Sequence, residues 1–153
     1  MKASRMSNDF KRCLRKKRIV THAHAEELVA GELETAGKDL ESSRKTFAEL
    51  DYKWATIQAY YSIFHAARAL LFEKGFREKS HFCLKAAIQE LYADAGLIEQ
   101  KHVDDFDATM LLRETADYRS DFSEEGATAS IENARMFLVR ATEILLDSSG
   151  TAL

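Results

Sequence analysis

Late in the chain the run RETADY places Arg113 four residues before Asp117 and five before Tyr118. An arginine presents a planar fork of donors that matches a phosphate, and a nearby tyrosine offers a stacking face and a hydroxyl. Arg113, Asp117 and Tyr118 are therefore candidates to line a groove in which the arginine grips phosphate. The same spacing supports an architectural reading. Asp117 lies one helical turn beyond Arg113, so the two can close an intrahelical ion pair that fixes helix register.

A second set lies in AYYSIFHAARALLFEKG, Ala59 to Gly75, where His65 and Arg68 interrupt a helix that is apolar on almost every face. Burying either without a partner is costly. His65 reads as a satisfied core donor, and Arg68 as the partner of a carboxylate from another helix, with Asp117 and Glu114 as candidates. If those groups met, the two motifs would form one polar cluster, so His65 and Arg68 join the candidate nucleotide- or RNA-binding residues. A third set is basic: residues 1 to 18 hold eight Lys and Arg against Asp9, a local +7 in a chain of net charge −3. Lys16, Lys17 and Arg18 are the candidates there for an arm that grips RNA. The alternative is a short helix that docks through Phe10, Cys13 and Leu14 and leaves its basic face in water.

Other chemistry finds no foothold. No two of the six glycines are adjacent, and neither a phosphate loop, a dinucleotide fingerprint nor a G-x-S-x-G elbow is present. His22 and His24 point apart on a helix, Asp104, Asp105 and Asp107 read as a solvated acidic face, and His102 with Asp105 is the one helical pair of metal-binding type. No metal and no cofactor are expected. Cys13 and Cys83 lie far apart without a CxxC pairing, and both are expected to be reduced. No apolar run approaches the roughly 18 to 20 residues of a membrane helix, and the N-terminus lacks the apolar core of a secretory signal. No membrane association and a cytoplasmic location are expected.

The elements that must position these residues are helical. The 153 residues contain no proline, which helices exclude and loops attract. With 46% hydrophobic and 31% charged residues, the chain is expected to fold as an all-α, up-and-down helical bundle of about five helices, preceded by a short basic N-terminal helix. The arm should occupy residues 1–20 and the bundle residues 21–150. Apolar spacing of three and four predicts a first long helix from Ala23 to Leu50 and a second from Tyr52 to Lys74, capped by Asp51 and stopped at Gly75. A third, capped by Ser80, should stop at Gly96. A fourth begins near Glu99, and a fifth follows a loop from Ser123 to Gly126.

The block YYSIFHAARALLFEKGFREKSH, Tyr60 to His81, followed by RETADY, resembles the HEPN domain family in its small stand-alone prokaryotic branch. The resemblance implies a helical bundle that forms homodimers and a nucleotidyltransferase-fold protein as partner. The pair frequently acts as toxin and antitoxin, and in many such proteins the toxin is a metal-independent ribonuclease. Active members carry Arg, four to six residues, then His; the three permitted positions after Arg113 hold Tyr118, Arg119 and Ser120. Cutting RNA through its own 2′-hydroxyl needs a proton acceptor with a pKa near neutrality and a cation for the phosphorane. Arg113 supplies the cation, but Tyr118, with an ordinary pKa of about 10, is a poor base. Arg18 and His24 match the spacing by chance, at the wrong end of the fold. Two functions stay open: a dimeric interaction module that binds a nucleotidyltransferase-fold partner and nucleotide or RNA, or a metal-independent endoribonuclease toxin using Arg113 with Tyr118, or with His65 from elsewhere in the bundle. Family members with the full motif receive nucleotides from the partner on a nearby tyrosine, which makes Tyr118 the corresponding acceptor.

Overall fold

Asp51 accepts a hydrogen bond from the Trp54 amide (3.2 Å) and starts the longest apolar segment of the chain as a helix. In the computed structural model, which describes the backbone of residues 2–149 and the side chains of residues 8–147, that segment is the central member of an all-α bundle. The side chains of Lys2 and Arg5 in the basic run, and residues 1 and 150 at the expected domain limits, lie outside this description.

The described helices are α1 (Lys2–Arg15), α2 (Val29–Ala48), α3 (Tyr52–Glu73), α4 (His81–Ile88), α5 (Gln100–Arg119) and α6 (Glu124–Ser149). More than half of α3 is buried, and α2, α5 and α6 pack around it. Small residues let α2 and α3 approach closely. Ser43 Oγ donates to the Ala55 carbonyl (2.6 Å) and Ser62 Oγ to the Ala36 carbonyl (2.8 Å), so the partner number falls as the first rises and the helices are antiparallel. The pairs Asn133 to Thr109 (3.1 Å) and Arg140 to Glu99 (2.9 Å) set α5 and α6 antiparallel in the same way. Tyr60, Phe106 and Phe137 fill the space between these helices.

Several boundaries differ from the sequence expectation. His24 takes a left-handed conformation (φ 60°) and Ala25–Leu28 forms a 3-10 turn, so the first long helix starts at Val29 rather than Ala23. Leu50, also at positive φ and 71% exposed, falls outside the seam predicted to include it. The third helix ends at Ile88 and passes through a π turn, Gln89–Ala93, before Gly96. The last helix begins at Glu124, inside the expected loop.

Two short strands were not visible in the hydrophobic pattern. Gly75, at φ 83°, reverses the chain after α3, and β2 (Phe76–Glu78) then pairs antiparallel with β1 (Ile19–Thr21), Ile19 opposite Glu78. Beyond the strands, Lys79 N donates to Arg18 O (2.8 Å) and His22 N to Gly75 O (3.0 Å). The cysteines correct a second expectation. Instead of being reduced, Cys13 and Cys83 form a disulfide, with Cα atoms 5.8 Å apart, because α1 docks across the first turn of α4. Among the described residues no helix is long and apolar enough to cross a membrane.

Candidate functional site

Arg113 projects from α5 toward the aromatic residues of α3, and only 14% of its side chain is exposed. Nη2 donates to the Tyr61 hydroxyl (2.9 Å) and lies 3.6 Å from the Asp117 carboxylate one turn on. The guanidinium carbon stands 5.6, 5.3 and 5.5 Å from the ring centres of Tyr60, Tyr61 and Tyr118. Those ring faces hold a cation by their quadrupoles without using its N–H donors, of which Nη2 is engaged by Tyr61 and Asp117. Nε is buried with no hydrogen-bond partner. Arg113 therefore meets Asp117 as the architectural reading expects, at a distance longer than a hydrogen bond.

Behind it, Tyr60 is completely buried, and its hydroxyl hydrogen-bonds Nδ1 of His81, the first residue of α4. Burial holds the Tyr60 pKa far above the ordinary phenol range, so the hydroxyl stays protonated and donates. The imidazole then accepts at Nδ1, and when neutral it carries its proton on Nε2. Burial first, and the Arg113 charge second, push the His81 pKa below its ordinary value. The His81 ring stacks on Phe64 with centres 4.5 Å apart, and the Arg68 guanidinium lies 4.6 Å from the same Phe64 ring.

Arg68 does find a carboxylate, but not one of those anticipated. Its Nε and Nη2 donate to Glu78 on β2, at 3.2 and 2.6 Å, in place of Asp117 or Glu114. The Gly75 reversal explains this, because it brings β2 back beside the end of α3. Glu78 is 3% exposed, and removing Arg68 would strand its buried charge at a cost of about 3–5 kcal/mol. His65 faces α2, where Nδ1 meets Glu32 at 2.8 Å and Nε2 lies 3.7 Å from Asp39. It ties two helices together and makes no contact with Arg113. Lys16, Lys17 and Arg18 are exposed at the end of α1 and in the turn before β1, again without contact to Arg113.

The structure thus brings Arg113, Asp117 and Tyr118 together with Tyr60, Tyr61 and His81, and reaches Arg68 through Phe64. His81 was missed in the sequence although it closes the motif block; its nearest signal was the helix cap Ser80, which accepts from Cys83 N at 3.1 Å. Among the described residues no group of three or more His, Cys, Asp or Glu is placed to hold a metal ion. His102 meets Glu99 (3.4 Å) and Asp105 meets Lys101 (3.4 Å), so the pair considered for metal is divided.

Residues 31–145 match the model of the HEPN domain family. This chain belongs to that family. A protein of Methanocaldococcus jannaschii named "Putative toxin MJ0605" is 32% identical over 114 residues, covering 74% of this chain and 85% of the relative. A second from the same organism, "Putative toxin MJ0142", is 24% identical over 119 residues, 76% of this chain and 81% of its own length. The HEPN match spans α2, α3, α4, α5 and most of α6, and so contains Arg113, His81 and their aromatic neighbours. It leaves out α1 and β1. Within the HEPN domain the positions where active members carry histidine hold Tyr118, 72% exposed, and the exposed Arg119 and Ser120.

Proposed function

We propose that this HEPN protein acts in a toxin–antitoxin-type pair, as a homodimer that docks a nucleotidyltransferase-fold partner and binds the phosphate of a nucleotide or RNA at Arg113. One observation carries the reading: a largely buried guanidinium held by three tyrosine rings, with unused donors and an unpartnered Nε. Such a group is desolvated but not neutralised, which favours an incoming anion. The toxin names of two relatives support the same direction.

The geometry also weighs against strand cleavage by this cluster. His81 is the histidine nearest to the expected chemistry, yet its Nδ1 is occupied by the Tyr60 hydroxyl and its outer nitrogen carries the proton. A neutral Nε2–H donates a hydrogen bond to phosphate; it does not accept a proton from a 2′-hydroxyl. Tyr118 stays at the rim, 72% exposed, where its hydroxyl oxygen would attack the α-phosphorus of ATP held by the partner enzyme, forming the tyrosyl–phosphate bond as pyrophosphate leaves and the phenolic proton passes to solvent. The reading places the protein in the cytoplasm, where the Cys13–Cys83 bridge would depend on the local thiol balance.

The purified wild-type chain should bind ATP and ribo-oligonucleotides without cutting them, and Arg113→Ala should lose affinity for both by tenfold or more; strand cleavage, with a growth arrest on expression that Arg113→Ala relieves, would favour the endoribonuclease reading instead. Incubation with the partner enzyme and ATP should raise the intact mass by one nucleotidyl group only while Tyr118 is present. Wild-type protein that binds neither ligand would end the proposal, whereas unimpeded growth without cleavage would leave it standing.

A further inference from the structure

Between the end of α1 and the first turn of α4 runs an open cleft of about 340 Å³, lined by Arg12, Cys13, Lys16, Arg18, Ser80, Phe82 and Cys83. Its size falls in the range of roughly 300–1,000 Å³ usual for small-ligand sites. Three of the seven lining residues are cations and none is an acid. Arg12 is partly compensated by Asp9 at 2.8 Å, whereas among the described residues no acid meets Lys16 or Arg18. The disulfide joins the two walls, so the cations are held against α4 rather than carried on a loose arm.

Phe82 gives the cleft a second character. Its ring is 46% exposed although it sits on a helix whose next residues, Cys83 and Leu84, are buried. Lys85 reaches over the ring at 5.5 Å but is already bound to Asp107 at 2.8 Å. An exposed aromatic face beside uncompensated cations is the pairing by which proteins hold unpaired nucleic acid: the ring stacks on a base while the cations follow the phosphates. A duplex hides its base faces and could use only the cations.

We propose that this cleft is a second site, which grips single-stranded nucleic acid through Lys16, Arg18 and Arg12 on phosphates and Phe82 on a base. It deepens the RNA-binding part of the proposed function and rests on it. The two sites share one helical turn, since His81 packs on Phe64 beside the Arg113 group while its neighbour Phe82 stands between the cleft and an adjoining groove that carries Asp9, Asp104 and Asp107.

The test is fluorescence anisotropy of the full, oxidised chain with labelled ribo-oligonucleotides of twelve uridines or twelve adenosines, the corresponding DNA strands, and an RNA duplex, over a salt series. Phe82→Ala should weaken binding of the single strands about tenfold, and leave duplex binding unchanged. Lys16→Glu with Arg18→Glu should lower the salt slope by about 1.4, from roughly 0.7 per phosphate contact on single strands. Arg113→Ala serves as the internal comparison. If Arg113→Ala weakens strand binding while both cleft variants match wild type, the cleft proposal falls and the Arg113 reading stands. If the cleft variants lose affinity while Arg113→Ala does not, the cleft is upheld and the Arg113 reading falls. Cleft variants that lose only binding to phosphatidylserine vesicles, with oligonucleotide affinity intact, would also overturn the proposal in favour of an anionic lipid surface.

Discussion

At Arg113 the chain places a cation among three tyrosine rings with Asp117 at 3.6 Å, and in the proposed reading the neighbouring His81 would add its Nε2–H to the donors. Binding of phosphate should therefore survive His81→Gln, whose amide can still donate from a similar position, and fall in His81→Ala. The same histidine couples folding to pH. Its folded pKa lies below the ordinary value of about 6.5, through burial and the Arg113 charge, with Arg68 in the same direction and Glu78 and Glu114 opposing. The unfolded chain then takes up a proton that the folded site resists, so this stability is full above the unfolded pKa and lost as pH falls through the folded one. His102, lowered mainly by burial, acts with the same sign. Urea unfolding between pH 7.5 and 5 should show declining stability in wild type and a shallower decline in His81→Gln. The residues of RETADY were legible because their spacing is local. His81 was not, since its hydrogen bond to Tyr60 spans 21 residues and exists only once α4 has docked.

Among the elements, α3 was legible almost to the residue: an Asp cap, an apolar run and a glycine stop are all written within the segment itself. The start of α2 and the two strands were not. A left-handed His24 has no compositional signal, and three-residue strands are too short for alternation to register. The cysteine pair failed for a related reason, because two cysteines separated by 70 residues say nothing of each other until α1 is placed. Closing a loop of that length constrains the unfolded chain by up to about 4 kcal/mol on the loop-entropy account. Dithiothreitol, or Cys13→Ser, should therefore lower the melting temperature, at roughly 2–4 °C for each kcal/mol lost in a domain of this size. Alkylation with and without reductant, read by intact mass, checks the bridge directly: two free thiols in the unreduced protein would refute it.

For the whole molecule, the exposed apolar side chains near the end of α5 carry the case for a second copy. Leu111 and Tyr118 are 64% and 72% exposed, and Phe122 follows at 47%. Leu111 and Tyr118 lie two turns apart on one face of α5, on either side of Arg113 in the sequence, so a homodimer that covers them would set two Arg113 clusters near one groove. Leu111→Glu should shift the protein from dimer to monomer in sedimentation velocity without changing its helical circular dichroism; a wild-type monomer at tens of micromolar would remove the dimer from the proposed function.

The ladder between β1 and β2 and the Cys13–Cys83 bond both fasten residues that precede the family match to the corner between α3 and α4. A chain trimmed to residues 31–145 would keep the recognisable domain and still lose a cover: Ile19, 2% exposed in the intact fold, would be gone from above that corner, and the edge of β2 would be left bare. The packed core of this protein thus reaches beyond the residues that match the family, through Cys13 and Ile19.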